Sequence, residues 1–102
     1  MKNPYDEEVK RLESRVEESE AQAKREERDW HRLNQELRNL PKWKIRSRIA
    51  KKKEIVETFE RMNFFKANVI DYRDWLRDTR KLRDGIEYAR TSREGEADED
   101  NH

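Results

Sequence analysis

Acid-base or metal chemistry in this chain would have to rest on histidine or on paired carboxylates, and neither occurs in a useful arrangement. The only histidines are His31 and His102. His31 has no Glu three residues before it and no His four residues away, so the E-x-x-H and H-x-x-x-H spacings that put two metal ligands on one helical face are missing. Glu26 and Glu27 are adjacent and point to different faces of a helix, which separates them as an acid-base pair. There is no cysteine, hence no thiolate ligand, thiol nucleophile or disulfide. With Gly85 and Gly95 as the only glycines, and neither preceding an apolar strand, a phosphate-cradling loop is excluded as well. The expectation is a protein that is not an enzyme, with no catalytic, cofactor-binding or metal-ligating residue and no cofactor.

Two other constellations are binding chemistry rather than catalysis. The first is the basic run from Lys42 to Lys53, in which Lys42, Lys44, Arg46, Arg48, Lys51, Lys52 and Lys53 surround Trp43. Cations beside an exposed ring can neutralise phosphates while the ring stacks on a base, so nucleic-acid binding is one reading of this segment. A solvated tip that keeps a helical protein soluble is the plainer one. The second constellation is Val56, Phe64, Ala67, Ile70, Trp75 and Leu82, which fall off the main apolar seam of a later helix and spread over about a third of its circumference. Soluble monomers seldom leave such a patch open, so these six are the predicted protein interface, filled most economically by self-association of two hairpins.

The elements that must carry these groups are helices. Ala, Glu, Lys, Leu and Arg supply 53 of the 102 residues, the composition of long helices and coiled coils. Only 31% of the chain is apolar and only two residues are proline, which argues against a multilayer globule and against an all-β fold rich in turns. Charged residues make up 48%, yet the 25 basic and 24 acidic groups nearly cancel, so the chain lacks the high net charge of many disordered sequences. No apolar run is long enough for a signal peptide or a membrane span, and the expected setting is a soluble cytoplasmic protein that does not engage a membrane.

Spacing places the helices. Asn3 as N-cap, Pro4 at the first helical position and Asp6 and Glu7 near the positive end of the dipole predict a helix start at residue 4. A 4-3 spacing then runs through Tyr5, Val9, Leu12, Val16, Ser19, Ala23, Glu26, Trp30, Leu33, Leu37 and Leu40, where Pro41 ends it. After a tip at 41–44, a second series begins with Ile45 and runs through Ile49, Ile55, Phe59, Met62, Phe65, Val69, Tyr72 and Leu76. Folding back at the tip makes antiparallel neighbours whose numbers sum to about 85, which sets small Ser19 and Ala23 opposite bulky Phe65 and Met62. In this register Glu26 faces Phe59 and Leu33 faces Lys52, two mismatches.

Arg73, Arg77, Arg80 and Arg83 alternate with Asp71, Asp74, Asp78 and Asp84 and read as surface pairs along one helix. The second helix is expected to run to about residue 90, or to stop near 84 if Gly85 caps it, with 91–102 an acidic disordered tail. The predicted fold is therefore all-α: a long antiparallel, coiled-coil-like helical hairpin that pairs into a bundle. The predicted function is an oligomerisation or partner-binding module of the adaptor, scaffold or inhibitor type, with a nucleic-acid-binding tip as the alternative.

Overall fold

The computed structural model describes residues 3–100, and the side chains of residues 3–93. It is an antiparallel hairpin of two helices, α1 (Asp6–Asn39) and α2 (Ile45–Asp100), of 34 and 56 residues. At about 1.5 Å of rise per residue they measure roughly 51 and 84 Å. The mismatch in length is the most conspicuous feature of the architecture.

Local sequence explains each end. Leu40 adopts an extended conformation, ψ 131°, because the ring of Pro41 crowds helical geometry in the residue before it. The turn closes with Lys44 N–H donating to Pro41 O at 3.1 Å. Carbonyls at the end of α1 are met from α2: Arg48 Nη1 donates to Leu37 O at 3.1 Å, which also accepts from Leu40 N–H at 3.2 Å, and to Leu40 O at 2.9 Å. These are charge-assisted bonds, and replacing Arg48 with Ala is expected to lower stability in urea unfolding by about 1–3 kcal/mol. Lys52→Gln, one residue type away on an exposed position, is the matched control and should stay within about 0.5 kcal/mol of the native protein.

At the other end α1 starts at Asp6, two residues later than the predicted start, and its N-cap, Tyr5, makes no side-chain capping bond. Asn3 serves a different purpose. Its amide is buried, accepts from Tyr5 N–H at 3.1 Å and donates through Nδ2 to Arg83 O at 3.0 Å, clipping the beginning of the chain onto α2.

Helix α2 passes Gly85 without a break and continues to Asp100, beyond both predicted ends. Gly85 has no positive φ and faces open space, so it acts as an ordinary helical residue at a cost of about 1 kcal/mol, too little to stop a helix with strong formers on both sides. The tail read from the sequence as disordered is thus helical as far as Asp100, while residues 101 and 102 lie outside the described ones.

Between the helices the first seam is the predicted one. Val9, Leu12, Ser19, Ala23 and Leu33 are buried, and Val16, Glu26, Trp30, Leu37 and Leu40 are half-buried. The second seam departs from the prediction near the tip. Its inward residues are Arg48, Lys51, Ile55, Thr58, Met62, Phe65, Val69, Tyr72, Leu76, Thr79, Arg83 and Ile86, an unbroken 3-4 series. Ile45, Ile49 and Phe59, expected in the seam, are 64%, 62% and 43% exposed. The physical reason is phase: a rigid helix must keep one heptad count, and counting back from Leu76 lands on Thr58, Lys51 and Arg48.

Register shifts accordingly. Lys51 with Glu36 and Arg61 with Glu26 each sum to 87, while Arg73 with Glu20 and Arg80 with Glu13 each sum to 93. These pairs therefore lie between about half a helical turn and two turns above the predicted sum of 85. Both predicted mismatches disappear: Glu26 pairs with Arg61, Phe59 lies against Trp30 with ring centroids 5.7 Å apart, and Leu33 lies beside Thr58. Every one of these four interhelix ion pairs takes its acid from α1 and its base from α2. Each is worth little alone at the surface, but a common polarity over the length of the hairpin specifies which faces meet.

Candidate protein-docking surface

Apolar content is split unevenly between the two helices. Among the described residues ten large hydrophobics remain exposed, namely Trp43, Ile45, Ile49, Val56, Phe59, Phe64, Ile70, Trp75, Leu82 and Tyr88, and all lie at the tip or on α2. Among the described residues α1 exposes none. One helix therefore has a polar back, and the other is apolar on more than one side.

The six residues predicted as an interface are all exposed, and heptad geometry sorts them onto different sides of α2. Val56 and Ile70 share one flank with Ile45, Ile49 and Phe59. Phe64, Trp75 and Leu82 line the opposite flank, and Ala67 lies on the back between the two. Each flank leans on the seam through its rings. Phe64 meets Phe65 edge-on with centroids 5.5 Å apart, Trp75 meets Tyr72 edge-on at 5.9 Å, and Phe59 rests on Trp30. These contacts restrain the exposed rings, which would lower the entropy lost if a partner docked on them.

On the Ile70 flank the small side chain of Ala23 leaves an open groove of about 460 Å³ whose apolar surface comes from Ala23, Val69 and Ile70. Its rims are charged, with Glu20, Lys24 and Glu27 from α1 and Lys66 and Arg73 from α2. The sequence reading missed Ile45, Ile49 and Phe59 as surface residues because it placed them in the seam. A strict heptad count from the far end of α2 was the signal that would have recovered them.

At the tip the eight residues considered for nucleic acid divide into two groups. Lys42, Trp43, Lys44, Arg46, Lys52 and Lys53 are exposed, Trp43 by 76%, and Lys44 Nζ sits 5.4 Å from the Trp43 ring centroid. Arg48 and Lys51 are turned into the hairpin instead. Arg48 caps α1, and Lys51 Nζ donates to Glu36 Oε2 at 2.7 Å. That hydrogen bond holds the Glu36 carboxyl below its ordinary value, against the smaller opposing effect of desolvation.

The alternating arginines also divide. Arg77 pairs with Asp74 and Asp78 and Arg83 with Asp84 along α2, whereas Arg73 and Arg80 reach across to α1.

Among the described residues no group of three or more His, Cys, Asp or Glu side chains is placed to hold a metal ion. No helix is long and apolar enough to cross a membrane. Comparison with protein families, with curated proteins and with solved structures finds no match to this chain.

Proposed function

We propose that this protein is a non-enzymatic, cytoplasmic interaction module in which α1 braces α2 and α2 docks to a protein, either a second copy or another chain. The observation that supports this reading is the one-sided exposure: among the described residues every large hydrophobic left in solvent belongs to the tip or to α2. A helix with apolar residues on several sides is normally covered on several sides, and α1 covers only one. The bracing role of α1 follows from its polar back and from the four acidic groups it directs at bases of α2.

Nucleic-acid binding by the tip is the second reading, favoured by the exposed Trp43 among cations. It is weakened because Arg48 and Lys51 are engaged within the hairpin and a lysine already occupies the vicinity of the Trp43 ring.

Trp75, 59% exposed, is a natural reporter of docking. In a variant with Trp30→Phe and Trp43→Phe, its emission is expected to shift to the blue and to resist acrylamide as protein concentration rises or a host extract is added. Emission that stays fully quenchable under both conditions would remove the docking reading. Salt-sensitive retention on DNA or RNA that is lost in Lys52→Gln/Lys53→Gln would put the tip reading in its place.

A further inference from the structure

Resting on the reading of α2 as a docking helix, we propose that the flank carrying Ile45, Val56, Phe59 and Ile70 packs on the same flank of a second copy, the two α2 helices antiparallel about a two-fold axis between Glu57 and Thr58. The opposite flank, with Trp75, lies outside this contact.

The first observation is spacing. Ile45, Ile49, Val56, Phe59 and Ile70, all exposed, belong to one 4-3 series that runs beside the seam. The series reads the same from either end, so residues whose numbers sum to 115 face each other when it is laid on its own copy. Ile45 then meets Ile70 of the other copy, Val56 meets Phe59, and Lys52 meets Asn63. Only Ile49 with Lys66 is mixed, and there the aliphatic stem of the lysine covers the isoleucine. A shift of one heptad in either direction sets Lys52 against Val56 or against Ile70. The side chains thus select one register.

The second observation is shape. The groove of about 460 Å³ beside Ala23 lies along Lys66 to Arg73, on this same flank. In the 115 register those residues are level with 42–49 of the other copy, which brings the exposed Ile45 and Ile49 of each tip over the groove of its neighbour. At the axis, Phe59 rests on Trp30 and is held in place for Val56 of the other copy. Each chain carries one projection and one hollow, and a single two-fold axis fills both hollows.

The third observation is charge on the same face. Glu27 lines the groove and follows Glu26, the partner of Arg61, which puts it near the level of Asn63 and hence of Lys52 of the other copy. Lys53 and Glu60 border the outer edge of the series, one residue beyond Lys52 and Phe59, and across the axis their levels differ by about 3 Å. Among the described residues none of these four groups has an ion pair within the hairpin. A second copy supplies the partner that each lacks. Four opposite-charge contacts around one apolar strip favour a copy of this chain over an unrelated apolar helix.

Two single-cysteine proteins, Ile45→Cys and Ile70→Cys, test this in the full chain, which has no cysteine of its own. The two sites are about 38 Å apart along one helix, so a disulfide between them has to join two chains. Mixed under mild oxidation, they are expected to link on the order of tenfold faster than either protein alone, and likewise faster than Ile45→Cys mixed with Leu82→Cys on the opposite flank. Val56→Asp, at the centre of the contact, should stay helical by circular dichroism and self-associate more than about tenfold more weakly.

A native protein that is monomeric by light scattering at high concentration overturns the second-copy proposal. If Trp75 is nevertheless protected by a host extract, the docking reading stands and its partner is another protein. A native dimer that does not link Ile45→Cys to Ile70→Cys faster than the controls, or that survives Val56→Asp, overturns the geometry proposed here.

Discussion

Replacing Phe64 with Ser, Ile70 with Asn and Trp75 with Gln in one chain is expected to leave the hairpin helical and to abolish its association. The three side chains are 61%, 60% and 59% exposed, so the hairpin itself gains little from them. Full burial against a partner contributes about 1.5–3 kcal/mol for each, or roughly 4–9 kcal/mol together. A micromolar complex is held by only about 8 kcal/mol, which makes the loss close to complete. A small drop in melting temperature is also expected, because Phe64 and Trp75 support Phe65 and Tyr72 edge-on. Circular dichroism and light scattering read the two effects separately. Collapse of helicity, together with a monomeric native protein, would mean that these residues serve the core of a single hairpin.

The largest effect on stability is expected from Leu12→Ala, with Ile49→Ala as its counterpart. Leu12 is 2% exposed in a cluster with Val9 and Leu76, packed by Val16 and Tyr72. Truncation there removes buried area and leaves a cavity, at a cost of about 2–5 kcal/mol. For a chain of this size each kcal/mol is worth about 4–8 °C, so melting should fall by more than about 8 °C. Ile49 is 62% exposed, and its truncation should change the stability of an isolated hairpin by no more than about 0.5 kcal/mol. Had Ile49 been a seam residue, the two variants would behave alike. Thermal unfolding of both at low concentration, where association is absent, decides between the registers.

That comparison also marks how far the sequence was legible. The 4-3 spacing from Val9 to Leu40 and the effect of Pro41 on Leu40 are local properties, and α1 follows from them. The second helix was harder because its apolar residues surround it, so more than one heptad stripe could be drawn through them. Choosing Ile45, Ile49 and Phe59 maximised hydrophobic character near the tip. Helix rigidity chose Arg48, Lys51 and Thr58 instead, because the phase is carried from the Met62–Leu76 end. Those polar residues are accommodated by Leu37 O, Leu40 O and Glu36, partners that are visible only once the register is known. The exposed apolar residues of α2 were recognisable as surplus, but their division between two flanks depends on the same phase. Gly85 misled for another reason, since glycine lowers helix stability without dictating a stop.

The burial pattern also bears on how the chain finds its fold. In most helical hairpins the turn brings the first favourable contacts together, and the helices zip outward from it. Here the segment next to the turn offers Arg48, Lys51 and Thr58, while the tightest cluster joins Val9 and Leu12 to Leu76 at the far end. Closing the chain from Leu12 to Leu76 costs about 1.6 kcal/mol more entropy than closing a loop of about ten residues, and the buried residues nearer the turn, Leu33, Ala23, Met62 and Val69, lie outside the cluster it completes. Folding is thus weighted towards a late, non-local step, in which two largely formed helices meet at the open end of the hairpin. The turn keeps the helices within reach of each other, and the far end commits them.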